Sequence, residues 1–505
     1  MNAKRRAASL LLGVILAACV GTPTPPTPGP SPITTPGPTS PPESATPPSA
    51  VPTLTAPSPS PPGPTSSPTG AAQLPGSSPV PAALPIHDGT VSMAPGPDGG
   101  LYILVADTSG PGSRSVLTLL DVQGRPRAGW PIALVGWGCG GWAESPPLVA
   151  GDGSIRLVCS VSAGPGEPEH SRAFAFDPKG RSMVGWPVDL PSDVRGRLSR
   201  VVDDRLVVIA RGTGEADPVT GESSWALRLV SVASDGTLRV GRWYKEKRDT
   251  DQDYWSPQIG PDGIAYQQAC FDDRTEIMAF DLDGARAGWP VRVDSCVSGV
   301  VFGPPGRLYV IECTSHPQTT RTLVFDLDGR ALPFGSAALP IEAQSTWSGA
   351  GPGEPAVVVA SDGAAFLLSD AGYQTTVYGL DPSGRVMAGW PYHATDGLQW
   401  QGECSGMVTG CGVSLSTSAV GPGDVLYLPQ AGRRLVAIGP DGKVRAGWPV
   451  VLTRPGAEFW SVVVGSDGTA YALAIEPEAG DRTSSTILAI APDGTVRYRT
   501  TVVDP

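Results

Sequence analysis

A recurring tripeptide constrains this chain more than any other feature of its sequence. Gly-Trp-Pro occurs five times, with its tryptophans at Trp130, Trp186, Trp289, Trp390 and Trp448. Each copy follows the same kind of turn, as in DVQGRPRAGWP and DLDGARAGWP. Degenerate copies end at Trp243, surround Leu339 and finish the chain at PDGTVRYRT, so eight copies follow one another at intervals of about 52 residues. The chain is therefore built from eight repeats of one supersecondary unit.

Each repeat contains four short apolar runs joined by tight turns. Segments such as QIGPDGIAY and VVVGSDGTAY place two runs around a Gly-rich turn, and an Asp-Gly turn joins the next two. Asp-Gly between apolar runs is a strong hairpin signal, because glycine adopts positive φ at no steric cost. Four strands in each of eight repeats predict an all-β fold over 80–505, an eight-bladed β-propeller of four-stranded antiparallel blades. The 64 glycines and 56 prolines in 505 residues exclude a mainly helical protein.

The chemistry of Gly-Trp-Pro predicts its place in a blade. Proline has no N–H to donate to a strand ladder, so it belongs on an edge strand, which in a propeller blade is the fourth and outermost. The flat indole beside a glycine can then pack over the neighbouring blade. The tryptophans predicted to dock adjacent blades in this way are Trp130, Trp186, Trp243, Trp289, Trp390 and Trp448.

The first nineteen residues have the pattern of an export signal. Lys4, Arg5 and Arg6 precede an apolar run over 10–16, which continues into Leu-Ala-Ala-Cys ending at Cys19. The run is too short to span a bilayer and is typical of a signal peptide. The motif resembles the lipobox of bacterial lipoproteins, which implies that Cys19 is lipidated and becomes the mature N-terminus. We therefore expect an extracytoplasmic protein of the bacterial cell envelope, lipid-anchored to a membrane; an ordinary cleaved secretory signal is the alternative.

A proline-rich stretch follows the signal. Residues 20–85 hold 23 of the 56 prolines and one charged side chain, Glu43. With few large apolar residues, the stretch cannot bury a core and favours extended, polyproline-like conformations. We predict that 20–79 form a disordered stalk between the anchor and the propeller.

Seven cysteines remain after Cys19, as is typical of an oxidising compartment. An odd number leaves one thiol unpaired if the rest form disulfides. The candidate disulfide pairs are Cys404 with Cys411, Cys139 with Cys159, and Cys296 with Cys313. The sequence has no CxxC motif, and its four histidines show no ligand spacing with the cysteines, so we expect no metal site.

The repeat resembles those of two known propeller families. The order of strand, Asp-Gly turn, strand and tryptophan in MAFDLDGARAGW and VYGLDPSGRVMAGW resembles the tryptophan-docking repeat of quinoprotein-like (PQQ-like) propellers, over residues 80–505. That family includes PQQ-dependent alcohol dehydrogenases and a non-enzymatic, eight-bladed lipoprotein subunit of the outer-membrane barrel assembly machinery. The FDxDGxxxxGWP strings are also similar to FG-GAP (integrin-like) repeats, although DxDGDG calcium loops are absent. Both resemblances imply a propeller, and neither implies one particular function.

The sequence contains no recognisable catalytic constellation. It has no GxSxG elbow and no HExxH motif, and it lacks the adjacent cysteines that lie over the cofactor in the PQQ dehydrogenases it resembles. The Asp-x-Asp-Gly turns at 281–284 and 326–329 fit hairpins better than calcium sites, because a Ca²⁺ cage needs six or more oxygens. We predict no catalytic residue, metal or cofactor. A divergent oxidoreductase carrying PQQ and calcium, or a carbohydrate-active propeller, is the alternative.

Connection lengths predict where a partner binds. The turns within each half of a repeat are short, whereas the connections between halves and between repeats are long and open on one common face. Aromatic side chains on one loop face suit a protein or glycan ligand, although they could instead fill the mouth of the channel. The tryptophans in or beside the long connections form this candidate binding face: Trp137, Trp142, Trp225, Trp255, Trp347, Trp400 and Trp460.

Charge narrows the class of partner further. The formal net charge is −12, and removal of the three cations of the signal, Lys4, Arg5 and Arg6, changes it to −15. Such a surface repels nucleic acid. The sequence thus predicts a membrane-anchored lipoprotein whose propeller is a non-catalytic scaffold for an extracytoplasmic protein or glycan. A further prediction concerns AALPI, which occurs at 82–86 and 337–341: residues 80–86 should add a strand to the last blade and help to close the ring.

Overall fold

The computed structural model is all-β. It describes residues 90–107, 114–139, 146–161, 170–191, 195–216, 223–245, 253–254, 257–271, 274–304, 306–315, 318–334, 357–370, 375–394, 418–430, 433–478 and 483–503. These residues form 35 strands and one 3-10 turn, Pro97–Gly99. In this part of the chain no helix is long and apolar enough to cross a membrane.

The strands form eight sheets in chain order, which we number as blades 1 to 8. Blades 1 and 2 contain β1 Thr90–Pro95, β2 Leu101–Asp107, β3 Arg114–Leu120 and β4 Ile132–Val135, then β5 Leu148–Val149, β6 Ile155–Val161, β7 His170–Phe176 and β8 Val188–Asp189. Blade 3 contains β9 Arg195–Val202, β10 Arg205–Ala216, β11 Ser223–Val232, β12 Leu238–Val240 and β13 Tyr244–Lys245. Blade 4 contains β14 Asp253–Tyr254, β15 Gln258–Ile259, β16 Ala265–Cys270, β17 Thr275–Asp281, β18 Gly284–Ala285 and β19 Val291–Val293.

The second half of the ring follows the same order. Blades 5 and 6 contain β20 Cys296–Gly303, β21 Arg307–Ser315, β22 Gln318–Asp326 and β23 Ala331–Leu332, then β24 Val357–Val359, β25 Ala365–Asp370, β26 Thr375–Leu380 and β27 Tyr392–His393. Blades 7 and 8 contain β28 Ala419–Gly421, β29 Val425–Gln430, β30 Arg434–Ile438 and β31 Val450–Val451, then β32 Glu458–Val464, β33 Ala470–Pro477, β34 Thr483–Ile490 and β35 Val496–Val503.

Every sheet is an antiparallel meander with four strand positions, which we call A to D in chain order. Blades 3 and 4 have extra labels because single positions are interrupted: β12 and β13 both pair with β11, β14 and β15 with β16, and β18 and β19 with β17. The A strands of most adjacent blades contact one another around the ring, blade 4 contacts blade 5 through β16 and β20, and β1 contacts β32. The predicted eight-bladed propeller is therefore confirmed.

The hydrophobic core is divided among the blade boundaries. The buried apolar residues form eight clusters, one between each pair of adjacent blades. Successive residues of one strand serve opposite boundaries, since Leu101 and Ile103 of β2 pack against blade 8 whereas Tyr102 and Leu104 pack against blade 2. A strand buried on both faces reads as a continuous apolar run, which is why LYILVA shows little alternation.

The ring closes between blades 8 and 1. The Tyr471 hydroxyl of blade 8 donates to the carbonyl of Gly99 in blade 1, and the Tyr498 ring lies against Gly124, where an added Cβ would be 2.6 Å from the ring. Position D of blade 8 is filled by β35, from the end of the chain. Residues 80–86, predicted to add a strand there, and 337–341 lie outside the described residues.

The two faces of the ring differ. The A–B and C–D turns define one side, which we call the turn face; the B–C and D–A connections define the other, the loop face. Alternate connections of an antiparallel meander lie at opposite ends of the sheet, so this division follows from the topology. The predicted signal and stalk, 1–19 and 20–79, lie outside the described residues.

Candidate binding surface

Four of the predicted docking tryptophans donate a hydrogen bond to the next blade. The indole Nε1 of Trp130 donates to the carbonyl oxygen of Pro178 at 3.2 Å, in the C–D turn of blade 2. The corresponding bonds join Trp186 to Ser234 at 3.0 Å, Trp390 to Pro440 at 2.9 Å and Trp448 to Pro492 at 3.1 Å. Each acceptor is a turn carbonyl, so these four tryptophans link the outer part of one blade to the turn of the next.

The glycine before each of these tryptophans lets the blades approach closely. Gly447 has φ of +83°, and an added Cβ would lie 1.8 Å from the carbonyl oxygen of Asp493 in blade 8. The contact is mutual, because a Cβ on Gly494 would lie 2.2 Å from the Gly447 carbonyl. Only glycine satisfies both the positive φ and this separation. The five Trp-Pro peptide bonds of the repeat are all cis.

A tyrosine in strand B, to which the sequence analysis gave no role, forms a second link between blades. The Tyr102 hydroxyl donates to the Gly153 carbonyl in the A–B turn of blade 2 at 2.9 Å. Burial raises the pKa of Tyr102 to about 12. Equivalent bonds join Tyr309 to Gly363 at 3.0 Å, Tyr427 to Gly468 at 3.3 Å, and Tyr471 to Gly99 across the closing boundary. The recurring "AY" or "LY" after the A–B turn was the available signal.

The other two predicted docking tryptophans are bonded differently. Trp289 packs edge-on against Tyr266, with ring centroids 5.2 Å apart, but its buried Nε1 has no partner among the described residues. Trp243 stacks on the Arg228 guanidinium of its own blade, 4.3 Å from the ring centroid. Instead, the N–H of Arg242 joins blade 3 to blade 4 at the Leu282 carbonyl, at 3.0 Å.

On the turn face, several aspartate carboxylates accept hydrogen bonds from the backbone of their own turns. The Asp381 carboxylate accepts the hydroxyl of Ser383 at 2.6 Å and the backbone N–H groups of Ser383 and Arg385 at 2.8 and 3.0 Å. The Ser383 hydroxyl, followed by the Arg385 N–H, holds the pKa of Asp381 below its usual range. Asp121, Asp177 and Asp326 accept backbone N–H groups in their turns in the same way. Carboxylates used in this way stabilise hairpins, as predicted for the Asp-Gly turns.

The loop face presents an exposed tryptophan near the channel mouth. Trp460 lies three residues into β32, an A strand, just after the connection from blade 7, and it is 48 % exposed. No other phenylalanine, tyrosine or tryptophan whose side chain the structure describes is exposed. Its neighbour Phe459 is buried at the boundary with blade 7.

A β-bulge explains why Trp460 is exposed. Phe459 pairs with Ala474 and Ser461 with Leu473, so Trp460 is an extra residue in the strand. A bulge re-aims a side chain and bends its strand, and bulges are frequent beside functional sites. The same shift occurs in the A strands of blades 5 and 3, where the extra residues are Ser298 and Arg197.

Blade 4 has the same irregularity. Tyr254 pairs with Ala269 and Gln258 with Tyr266, so strand A advances four residues while strand B advances three. The register shift therefore lies between Tyr254 and Gln258. In all four blades the shift lies about five residues before the A–B turn. The bulges therefore occupy one level of the ring, near its loop face.

The remaining candidate tryptophans differ in placement. Trp137 packs edge-on against Phe174, with centroids 5.5 Å apart, and the Arg172 guanidinium lies 4.8 Å from its ring centroid. It therefore contributes to the boundary between blades 1 and 2. Trp225 lies in β11, opposite Thr213. Trp142, Trp255, Trp347 and Trp400 lie outside the described residues.

One predicted disulfide is present. Cys139, just after strand D of blade 1, is bonded to Cys159 in β6. Cys296 and Cys313 are direct partners in the register of β20 and β21, which places their backbones opposite one another. Cys404 and Cys411, together with the anchor residue Cys19, lie outside the described residues.

A cavity of about 400 Å³ lies beside the A strands of blades 3 to 5. Its lining includes Arg200, Gln258 and Phe302. Arg200 donates to the Ile259 carbonyl at 2.9 Å, so its guanidinium is already bonded to blade 4, and burial lowers its pKa. Among the described residues no group of three His, Cys, Asp or Glu side chains could hold a metal ion.

No protein-family model and no curated protein sequence matches the chain. Among solved structures it is similar to puromycin hydrolase, at 15 % identity and TM-score 0.41, over 78 % of this chain and 60 % of that one. It is similar to prolyl oligopeptidase B from Galerina marginata, at 10 % identity and TM-score 0.39, over 80 % and 55 %. It is also similar to the Dos1 propeller, at 9 % identity and TM-score 0.42, over 80 % and 93 %. The chain thus spans 60 % or less of the length of the hydrolase and the oligopeptidase.

Proposed function

We propose that this chain is an exported lipoprotein, anchored through Cys19, whose propeller binds an extracytoplasmic protein or glycan on its loop face without catalysing a reaction. The observation that carries the proposal is the bulge shared by the A strands of blades 3, 4, 5 and 8. It alters the ring at one level, on the side where the long connections lie. In blade 8 it coincides with the exposed Trp460.

An exposed tryptophan near the mouth of the channel contributes little to the stability of the fold, whereas it is well placed to contact a ligand. Leaving an indole in water forfeits about 2 kcal/mol of burial free energy, whereas tryptophan is among the commonest residues to dominate binding energy at interfaces and stacks on sugar rings. The turn face offers less to a partner, because many of its carboxylates are engaged within their own turns.

Trp460→Ala tests the binding surface. The purified full-length chain in detergent would be applied to a glycan array and to immobilised envelope proteins, beside Val184→Ala. Val184 is 91 % exposed and lies in the C–D turn of blade 2, on the turn face, so it is an exposed apolar control away from the loop face. We expect at least about tenfold weaker binding for Trp460→Ala, with unchanged unfolding temperature and no effect of the control. Equal binding by the two variants would contradict the proposal.

Cys19→Ser tests the anchor. The variant should lose incorporation of labelled fatty acid and move from the membrane fraction to the soluble fraction. Retained label and unchanged membrane association would show that Cys19 is not the lipidation site.

The enzymatic alternatives have distinct readouts. Reconstitution with PQQ and Ca²⁺ followed by dye-linked alcohol oxidation tests the oxidoreductase, and release of reducing sugar from any glycan that the array identifies tests a carbohydrate-active propeller. Turnover in either assay would contradict a non-catalytic role.

A further inference from the structure

A cavity of about 240 Å³ opens on the turn face between blades 3 and 4. Blade 3 contributes Arg205, Val207 and Arg239, and blade 4 contributes Arg286 together with parts of both of its turns. The cavity lies on the side opposite to the loop face, so it is separate from the surface around Trp460.

The cavity lies where the repeat loses both of its docking residues. In blades 1, 5, 7 and 8 the position equivalent to Val207 is a tyrosine whose hydroxyl reaches the A–B turn of the next blade. Valine is too short to reach, and the atoms nearest to a Cβ added at Gly263 of blade 4 belong to Val202 and Val207. Blade 3 also has Gly-Arg-Trp at 241–243 in place of Gly-Trp-Pro, and it contacts blade 4 at Leu282.

The charged groups that line the cavity are unequally engaged. The Asp262 carboxylate accepts the Tyr266 hydroxyl at 2.9 Å and the Ile264 N–H at 3.2 Å. Asp281 likewise accepts N–H groups of its own turn, Asp283 contributes a third carboxylate to the lining, and Arg205 pairs with Asp203 at 3.6 Å. The side chains of Arg239 and Arg286, by contrast, have no ion pair or hydrogen bond with any residue in the described part of the chain.

We propose that this cavity binds an oxyanion, the phosphate, sulfate or carboxylate group of a small ligand, through the guanidinium groups of Arg239 and Arg286. A guanidinium presents a planar fork of N–H donors that matches two oxygens of such a group. The two arginines come from different blades, so the anion would replace the missing tyrosine as the link across this boundary.

Calorimetric titration of the purified full-length chain tests the site. Phosphate, sulfate and acetate would be added separately at constant ionic strength, with chloride as the reference, so that the three arms identify the preferred group. We expect binding that weakens about tenfold or more in Arg239→Gln and in Arg286→Gln. Arg445→Gln is the matched control, because Arg445 occupies the same position as Arg286, three residues before the docking tryptophan of its blade.

Val207→Tyr provides a test that does not depend on removing a charge. Introducing the tyrosine that blades 1, 5, 7 and 8 have at this position should fill the cavity and abolish anion binding, while the unfolding temperature stays the same or rises. The proposal is overturned if none of the three anions binds, if Arg286→Gln and Arg445→Gln bind equally, or if Val207→Tyr folds and still binds.

Discussion

At the scale of single residues, the close docking of neighbouring blades depends on glycines, because a Cβ at these positions would collide with the next blade. Gly136 and Gly447 have nearly the same φ, +80° and +83°, but only Gly447 faces a neighbouring carbonyl, 1.8 Å from where its Cβ would be. Nothing lies within 4 Å of the corresponding point at Gly136. Substituting alanine at both glycines therefore distinguishes two contributions to the loss of stability. Gly136→Ala reports only the strain of positive φ, whereas Gly447→Ala also reports the separation of two blades.

Gly136→Ala should lower the free energy of unfolding by about 1 kcal/mol, because alanine is strained at positive φ. Gly447→Ala should lower it by about 3 kcal/mol or more, because blades 7 and 8 must also separate. Chemical denaturation monitored by tryptophan fluorescence measures both. Equal losses would mean that the close approach contributes nothing.

Removing the buried hydroxyl of Tyr102 and removing that of Tyr498 should change the free energy of unfolding in different directions. The Tyr102 hydroxyl donates to Gly153, whereas that of Tyr498 has no partner among the described residues. Tyr102→Phe should cost about 1 kcal/mol, because a buried carbonyl loses its donor. Tyr498→Phe should be neutral or stabilising, because it removes an unbonded polar atom. Denaturation midpoints with unchanged slopes would give the comparison, and a loss at Tyr498 as large as that at Tyr102 would refute it.

At the scale of elements, the disulfide joins the connection that follows strand D of blade 1 to strand B of blade 2. The backbones are paired at the same point, since Gly138 and Ser160 form an isolated antiparallel bridge. The bond fixes the start of the connection from blade 1 to blade 2, so it holds one loop of the loop face at its base.

Replacing both Cys139 and Cys159 with serine should lower the free energy of unfolding by about 3 kcal/mol, from the loop entropy of a 20-residue separation. Reduction of the wild type by dithiothreitol should produce a similar shift, and the double variant should not respond to the reductant at this site. A variant as stable as the oxidised wild type would show that the cross-link contributes nothing.

Different elements were predictable from sequence to different degrees. Gly-Trp-Pro and Asp-Gly recur at fixed places within each repeat, so blade number and strand order could be derived from the sequence. The bulge at Trp460 could not, because FWSVVV alone looks like a regular strand and a bulge exists only relative to the partner strand. The Val207 cavity could have been found by aligning the repeats, where valine replaces tyrosine. The candidate tryptophan Trp137 shows the limit of position alone, because it lies beside a long connection yet packs into a blade boundary.

At the scale of the whole molecule, stability is distributed around a closed ring. No central core exists among the described residues; eight boundary clusters share the apolar burial. The closing boundary uses the same tyrosine link as three others. Because the ring is closed, loss of one tyrosine–carbonyl hydrogen bond weakens one boundary between blades and should therefore lower the stability of the whole ring.

This shared link predicts sensitivity to alkali. Burial raises the pKa of Tyr102 and of Tyr471 from 10.0 to about 12. Because the folded protein holds these protons more tightly than the unfolded chain, their contribution is complete below pH 10 and is lost as the pH rises towards about 12. The free energy of unfolding should fall across this interval, and less steeply in the Tyr102→Phe, Tyr471→Phe double variant. Parallel pH profiles for the two proteins would contradict the assignment.

We propose that the anchored propeller engages an extracytoplasmic partner at the mouth of its loop face. The most direct measurement is photo-cross-linking in the intact producing cell, with benzoylphenylalanine at position 460 or, as the exposed control, at position 184. We expect a light-dependent adduct with a protein or glycan of the cell envelope from position 460 alone. No adduct at 460, or the same adducts from both positions, would contradict it.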